Sequence, residues 1–174
     1  MRTHSAIRSV TRGFTLVEML IALTILAIAL GIITQGLEPD DHSRLASAAE
    51  MVVADLEYTQ SLSIATPGDL ALVMFDPAAS AGPTWWVAHE SAPTTPITKP
   101  YTSTPYQVTL GQGVAVEITG VSLSLVGVTD TIVFDAFGRT TASGEVRVRM
   151  TNPAGSMDVV ISSATGFITI ENVP

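Results

Sequence analysis

The stretch Arg12-Gly13-Phe14-Thr15-Leu16-Val17-Glu18 opens a run of twenty residues, 14–33, in which Glu18 is the only charged side chain. At 1.5 Å per residue, a helix of this length is about 30 Å long, the thickness of the hydrocarbon core of a bilayer. Basic residues near a membrane helix stay in the cytoplasm, and the residues before the run include Arg2, Arg8 and Arg12 but no acid. The sequence therefore predicts a helix that starts in the cytoplasm and carries the rest of the chain out of the inner leaflet.

Glu18 separates this run from ordinary membrane segments. A carboxylate in hydrocarbon costs roughly 2.5–3.5 kcal/mol on insertion scales, so it normally has a partner. No Lys or Arg follows it within several helical turns, and Arg12 is the nearest cation before it. Two alternatives, a secretory signal peptide cleaved after Ala27-Ile28-Ala29 and an uncleaved anchor, both leave this acid without a partner.

The stretch from Arg12 to Glu18 resembles the class III signal of type IV prepilins and type II secretion pseudopilins. In that family a short basic leader ends in Gly, a membrane aspartyl peptidase cuts after it, and the new terminal Phe is N-methylated. The resemblance implies cleavage between Gly13 and Phe14 and N-methylation of Phe14. It also implies that Glu18, the fifth mature residue, fixes the assembly register by meeting the amine of a neighbouring subunit.

Residues 36–65 are interpreted as a linker and a second helix. Pro39 disfavours helical geometry at Glu38, and Asp40 or Asp41 can cap a new helix. From residue 43 to about residue 65, apolar residues repeat at a spacing of three to four, which predicts a helix that packs on a sheet: Leu45, Ala49, Val52, Leu56 and Thr59.

Residues 66–174 are interpreted as a β-rich periplasmic domain, because runs rich in Val, Ile, Thr and aromatics alternate with turn residues. Two loops also stand out, residues 76–83 and the Pro- and Thr-rich residues 91–105. The predicted strands are 70–75, 84–90, 106–110, 114–119, 121–126, 131–135, 145–150, 158–162 and 167–171.

The order of elements predicts an α+β, pilin-like fold. A long N-terminal helix, membrane-embedded in its first half, would pack on a C-terminal antiparallel β-sandwich. The predicted divisions are a cleaved leader (1–13), a transmembrane and assembly helix (14–35), a linker with the second helical half (36–65) and the β-rich domain (66–174). Within the pilin superfamily, the late sequence resembles the GspH/FimT group of minor pilins and pseudopilins in a strand with a D-x-x-G-R turn, a following strand and a last hairpin: residues 131–139, 144–148 and 165–170.

Composition and motifs do not favour an enzyme. The chain has no cysteine, which excludes disulfide scaffolds and zinc–thiolate sites. No nucleophile elbow, phosphate loop or H-E-x-x-H motif occurs, and His89 and Glu90 point to opposite faces of a strand. We therefore predict no catalytic residue, no cofactor and no metal, leaving open a calcium site assembled from separate loops.

Net charge argues against general nucleic-acid binding, since phosphate contacts rely on Lys and Arg. Without the three leader arginines, five basic side chains face sixteen acidic ones. Arg139, Arg147 and Arg149 nevertheless lie on or near one late strand, as basic residues do in members of this group that take up DNA. They are kept as a possible DNA contact.

The resemblance implies a structural subunit, a minor pilin or pseudopilin of a type IV pilus or a type II secretion pseudopilus. Its partners would be the prepilin peptidase, other pilins and the inner-membrane assembly platform. It would sit in the inner membrane as a single-pass protein with a periplasmic C-terminal domain before it joins the fibre. The alternatives are a DNA-binding minor pilin for uptake and a membrane-anchored adhesin that uses residues 91–105. The sequence does not choose between pilus and secretion apparatus.

Overall fold

The computed structural model describes residues 15–35 and 40–173, in two compact units of residues 1–38 and 39–174. In the first unit, the described residues form helix α1, Leu16–Gln35. In the second unit they form helix α2, Asp41–Ala65, a 3₁₀ turn, Gly113–Ala115, and eight strands. The strands are β1 (Ala71–Asp76), β2 (Thr84–His89), β3 (Gln107–Thr109), β4 (Ser122–Val126), β5 (Thr131–Val133), β6 (Val146–Asn152), β7 (Gly155–Ile161) and β8 (Ile168–Val173).

Helix α2 begins two residues before its predicted start because Asp40 caps it. Asp40 has extended backbone geometry, and its carboxylate accepts a hydrogen bond from the backbone N–H of Ser43 at 2.7 Å. This is the N-cap role that the sequence offered to Asp40 or Asp41. At the other end, the N–H and hydroxyl of Thr66 both donate to the Leu62 carbonyl, at 2.9 and 2.7 Å, which satisfies a carbonyl of the last turn.

The second unit is built from two antiparallel four-stranded sheets, of order β3-β2-β1-β5 and β4-β6-β7-β8. Helix α2 contacts strands of both sheets. All five residues of its predicted stripe are buried, and the four apolar ones join one core with buried side chains of both sheets. The structure thus confirms an α+β fold with a helix packed on antiparallel sheets.

The predicted strand at residues 114–119 is wrong. Gly111 and Gly113 have positive φ angles of 79° and 54°, which turn the chain out of an extended path. The N–H of Ala115 then donates to the Gln112 carbonyl at 2.9 Å, which is the hydrogen bond of a 3₁₀ turn. The valine-rich composition resembled a strand, but Ala115 and Ile118 enter the core from a turn.

The end of β5 and the start of β7 also differ from the prediction, because turns form next to them. Strand β5 stops at Val133, since Asp135 begins a turn in which its N–H bonds the Arg139 carbonyl at 2.7 Å. Strand β7 starts at Gly155, three residues earlier than predicted. The Asn152 side chain holds a tight hairpin there by accepting from the N–H of Ala154 at 2.9 Å.

The D-x-x-G-R turn and the last hairpin meet on helix α2. The Gln60 amide donates to the Gly138 carbonyl at 2.5 Å and to the Gly166 carbonyl at 2.9 Å. Both glycines have positive φ, and a Cβ atom at Gly166 would lie 1.9 Å from the Gly138 oxygen. Glycine at position 166 therefore allows two distant turns to close against one side chain.

We expect Gly166→Ala to destabilise the second unit strongly, because a methyl group would overlap the Gly138 carbonyl. Gly120 is a matched control: its φ of 73° equals the 72° of Gly166 within a degree, but nothing lies within 4 Å of its Cβ position. Gly120→Ala should cost only the left-handed penalty of about 1–2 kcal/mol. Urea unfolding of the chain from residue 40 onward would compare them. Equal losses would show that backbone conformation alone, and not this close contact, matters at Gly166.

Asp55 ties helix α2 to the first sheet. Its carboxylate is buried and accepts hydrogen bonds from the Trp85 indole N–H at 2.6 Å and the Tyr106 hydroxyl at 2.9 Å. Burial raises the pKa of Asp55 and outweighs the lowering effect of those two hydrogen bonds. Burial also raises the pKa of Tyr106, which remains a donor.

The raised pKa makes Asp55 sensitive to pH with a definite sign. A carboxyl whose folded pKa exceeds its unfolded value of about 3.9 stabilises the fold fully below that value, and this stability is lost as pH rises through the folded pKa. Asp55→Asn keeps an acceptor for Trp85 and a donor to the Tyr106 oxygen but does not ionise. We therefore expect the unfolding free energy of Asp55→Asn to rise relative to that of the unmodified chain between about pH 4 and pH 7.

The same measurement on Asp55→Ala provides the control. That variant leaves two donors without their acceptor and should lose about 1–3 kcal/mol at both pH values. A difference between the unmodified chain and Asp55→Asn that stays constant across the range would contradict the assigned direction of the pKa shift.

Candidate assembly interface

The start of helix α1 carries a reciprocal cap. The backbone N–H of Glu18 donates to the Thr15 hydroxyl at 3.2 Å, and the N–H of Thr15 reaches the Glu18 carboxylate at 3.4 Å. This is the capping box of a T-x-x-E sequence. This capping box was not predicted from the sequence, although the three-residue spacing from Thr15 to Glu18 is its signal.

The described side chains of α1 form an exposed apolar surface with one acid. The nine large apolar side chains between Leu16 and Ile28 are each 52–80% exposed in the isolated chain. They lie on all sides of the helix and not on one stripe, and a helix that is apolar all round requires cover. Within residues 15–35 and 40–173, no helix combines the length and the apolar character that crossing a membrane requires.

Glu18 is exposed, and its one contact to the N–H of Thr15 is long. A carboxylate in this state can exchange that contact for a stronger one with a cation. The two other predicted residues, Gly13 and Phe14, lie outside the described residues. Cleavage at Gly13 and methylation of Phe14 therefore stay predictions, as does the role of Glu18 in register.

The three arginines predicted as a DNA contact are all engaged with acids. Arg149 holds Asp158 through two hydrogen bonds of 2.8 Å, and Arg147 bonds Glu145 at 2.8 Å and Glu171 at 3.1 Å. Arg149 lowers the pKa of the fully buried Asp158, chiefly through these hydrogen bonds. On its own turn, Arg139 forms two bonds to Asp135, at 2.9 and 3.0 Å.

These ion pairs reduce the affinity of the three arginines for phosphate. A phosphate oxygen would have to displace a carboxylate from each guanidinium, next to other negative charges. Sequence alone placed Arg147 and Arg149 on one strand face, and the structure agrees. The acids opposite them, Asp158 and Glu171, come from neighbouring strands and are set by the sheet register.

We expect the chain from residue 40 onward to give no shift of a DNA duplex in a gel, even at low salt. Glu145→Gln plus Glu171→Gln should increase any residual binding, because it removes two of the three carboxylates that Arg147 contacts. A salt-dependent shift by the unmodified chain that disappears in Arg147→Ala plus Arg149→Ala would instead establish the DNA contact.

His89 donates from Nδ1 to the Asp69 backbone carbonyl at 3.1 Å, and an oxygen of the Asp69 carboxylate lies 3.8 Å from the same nitrogen. Among residues 15–35 and 40–173, no group of three His, Asp or Glu side chains is placed to hold a metal ion.

Comparison with known proteins finds one sequence motif and one similar fold. Residues 8–34 match the prokaryotic N-terminal methylation motif. Crystal structures of the type IV minor pilin FimU of Pseudomonas aeruginosa are similar to the chain. One has a TM-score of 0.50 and 16% identity over 76% of this chain and 90% of FimU. A second crystal form has a TM-score of 0.48 and 17% identity over 73% and 92%. No curated protein matches the sequence.

The methylation motif implies N-terminal processing and membrane-associated assembly with other pilins. The likeness to FimU, at 16% identity, shows a shared fold. Together they support a structural subunit. The chain is therefore pilin-like, joining a prokaryotic N-terminal methylation motif to a domain with the fold of a type IV minor pilin.

Proposed function

We propose that the chain is a minor pilin or pseudopilin, a structural subunit of a type IV pilus or a type II secretion pseudopilus, and not an enzyme. The observation that carries this proposal is the exposed apolar surface of α1 with Glu18 as its one acid, inside the methylation motif at residues 8–34. Apolar side chains on every side of a helix favour cover by lipid before assembly and by other helices afterwards.

Processing prepares this helix. A prepilin peptidase cuts between Gly13 and Phe14, removing Arg2, Arg8 and Arg12, and Phe14 becomes an N-methylated terminal amine. Before assembly, the subunit resides in the inner membrane as a single-pass protein with residues 39–174 in the periplasm. The apolar run 14–33 and the basic residues before it support this placement. The assembly platform and other pilins then receive it.

Glu18 sets the register through charge. The amine of Phe14 lies four residues away in its own chain, about 6 Å of helix rise. The amine of a neighbouring subunit can approach Glu18 from the side as the helices pack. In a low dielectric an opposite charge is strongly attracted and an unpaired charge is costly. The pairing therefore penalises every other register more than it adds to affinity.

Intact-mass measurement of the protein purified from its own membranes tests the processing. We expect a chain that begins at Phe14 and carries one extra methyl group. Retention of residues 1–13 would contradict the proposal, and a chain that begins at Leu30 would identify an ordinary signal peptide.

Two variants separate the charge of Glu18 from its role in the capping box. Glu18→Gln keeps an acceptor for the N–H of Thr15 but removes the charge. Thr15→Ala removes the capping hydroxyl, at a cost of about 1 kcal/mol, and keeps the charge. We expect incorporation into fibres, measured by immunoblot of sheared fibres, to fall about tenfold or more for Glu18→Gln, because a buried amine loses its partner.

Thr15→Ala should assemble nearly as the unmodified protein does. If Glu18→Gln assembled normally, the charge pairing would be wrong. If both variants failed equally, the capping box and not the charge would be the feature that assembly needs.

A further inference from the structure

A second surface, remote in sequence from α1, has the features of a binding groove. A cavity of about 300 Å³ opens between α2 and the Pro- and Thr-rich loop, residues 91–105. Its walls are mainly apolar, with Met51 and Ala54 from α2 and Val108 and Val114 from the segment after the loop. A neighbouring cavity of about 440 Å³ shares Lys99, Val108 and Val114 and continues along β3. Because the two cavities share three lining residues, an extended chain could occupy both, and we refer to them together as the groove.

Lys99 provides the charge of this groove. It is the only lysine in the sequence, and its ammonium lies 5.4 Å from the centre of the Tyr106 ring. Every arginine of residues 40–173 pairs with a carboxylate, whereas Lys99 forms no ion pair with the described residues. In a domain with an excess of acids, one cation without a carboxylate at the mouth of an apolar cavity is a ready partner for an anion.

The loop that carries Lys99 is held in place and strained at its tip. The backbone N–H of Ile97 donates to the Val87 carbonyl at 2.9 Å. The backbone N–H of Lys99 donates across the tip to the Thr104 carbonyl at 2.9 Å. Between them, Tyr101 has a φ of 61° and a fully exposed ring. A left-handed conformation costs a non-glycine residue about 1–2 kcal/mol, and such strain persists mainly at sites that bind or switch.

Asp55 at the base of the cavity does not make this a cation site. Both of its oxygens already accept hydrogen bonds, from Trp85 and Tyr106. A positively charged ligand would also have to pass the ammonium of Lys99. The charges that line the cavity therefore favour a ligand that is anionic at the mouth and apolar inside.

We propose that this groove binds an extended segment of a partner polypeptide. An acidic side chain of the segment pairs with Lys99, and an adjacent apolar side chain fills the cavity against Met51 and Val108. This surface lies wholly within the second unit, so the inference does not depend on how α1 assembles.

Fluorescence anisotropy of labelled peptides tests the groove, with the full chain in detergent micelles and empty micelles as the blank. The probe is fluorescein-Ala-Leu-Glu-Leu-Ala-amide, and its neutral match replaces Glu by Gln. We expect the Glu peptide to bind about fivefold more tightly than the Gln peptide, the range of a part-exposed ion pair. Lys99→Met should abolish that preference because it keeps the apolar stem and removes the charge.

Two further variants locate the site. Ala54→Leu adds bulk at an exposed helix position that lines the cavity, so it should weaken both peptides without altering the fold. Arg44→Met removes the same charge as Lys99→Met, outside the groove, and should leave binding of both peptides unchanged. Thermal unfolding of each variant checks that it is folded.

Four results would overturn the proposal. The first is no anisotropy change above the micelle blank at millimolar protein, and the second is equal binding of the Glu and Gln peptides. The third is a loss of preference in Arg44→Met as large as in Lys99→Met, which would show a general charge effect. The fourth is displacement of the peptide by hexanoate at concentrations equal to those of unlabelled peptide, which would make this a site for small carboxylates.

Discussion

The described fold depends on the burial of one stripe of helix α2. Leu45, Ala49, Val52 and Leu56 are at most 3% exposed, and they meet buried side chains from both sheets. Burial of a Leu or Val side chain contributes roughly 1.5–3 kcal/mol to the free energy of folding, and burial of an alanine contributes less. Neither sheet has another helix within the described residues to cover its apolar side chains, so α2 holds the two sheets in one domain.

The two helices show two solutions to the same requirement. Helix α2 buries one face, which includes Asp55, within its own unit and leaves Glu50 and Glu57 exposed. Helix α1 has apolar side chains on every side, and its large apolar side chains described between residues 16 and 28 are exposed. Helix α2 therefore stabilises the fold of its own unit, whereas the apolar side chains of helix α1 require cover by another molecule. In the proposed assembly, the single acid at the start of α1 would give its contact with another subunit a preferred alignment, since charge is costly in a low dielectric wherever it lacks a partner.

Polar contacts then decide how the elements of the domain fit. Gln60 joins two turns that are far apart in sequence, and Asp55 joins α2 to Trp85 of β2 and to Tyr106, the residue before β3. On the outer side of the second sheet, Asp158 is fully buried beneath Arg147 and Arg149. These contacts are specific because a buried donor or acceptor without a partner costs more than the net value of the bond. They also turn the late arginines into structural residues of the sheet.

The sequence by itself determined the features that rest on local spacing. The apolar run with Glu18, a cap at Asp40 or Asp41, the stripe of α2 and most strands follow from periods and turn residues at neighbouring positions. Tertiary structure alone decided which distant residues meet: Gly138 with Gly166, Asp158 with Arg149, and Lys99 with the wall of the groove at Val108. It also made residues 113–115 a turn in place of a strand, and Ala115 and Ile118 are buried in the core from that turn. Such contacts depend on sheet register and on the packing of α2, and no local pattern encodes either.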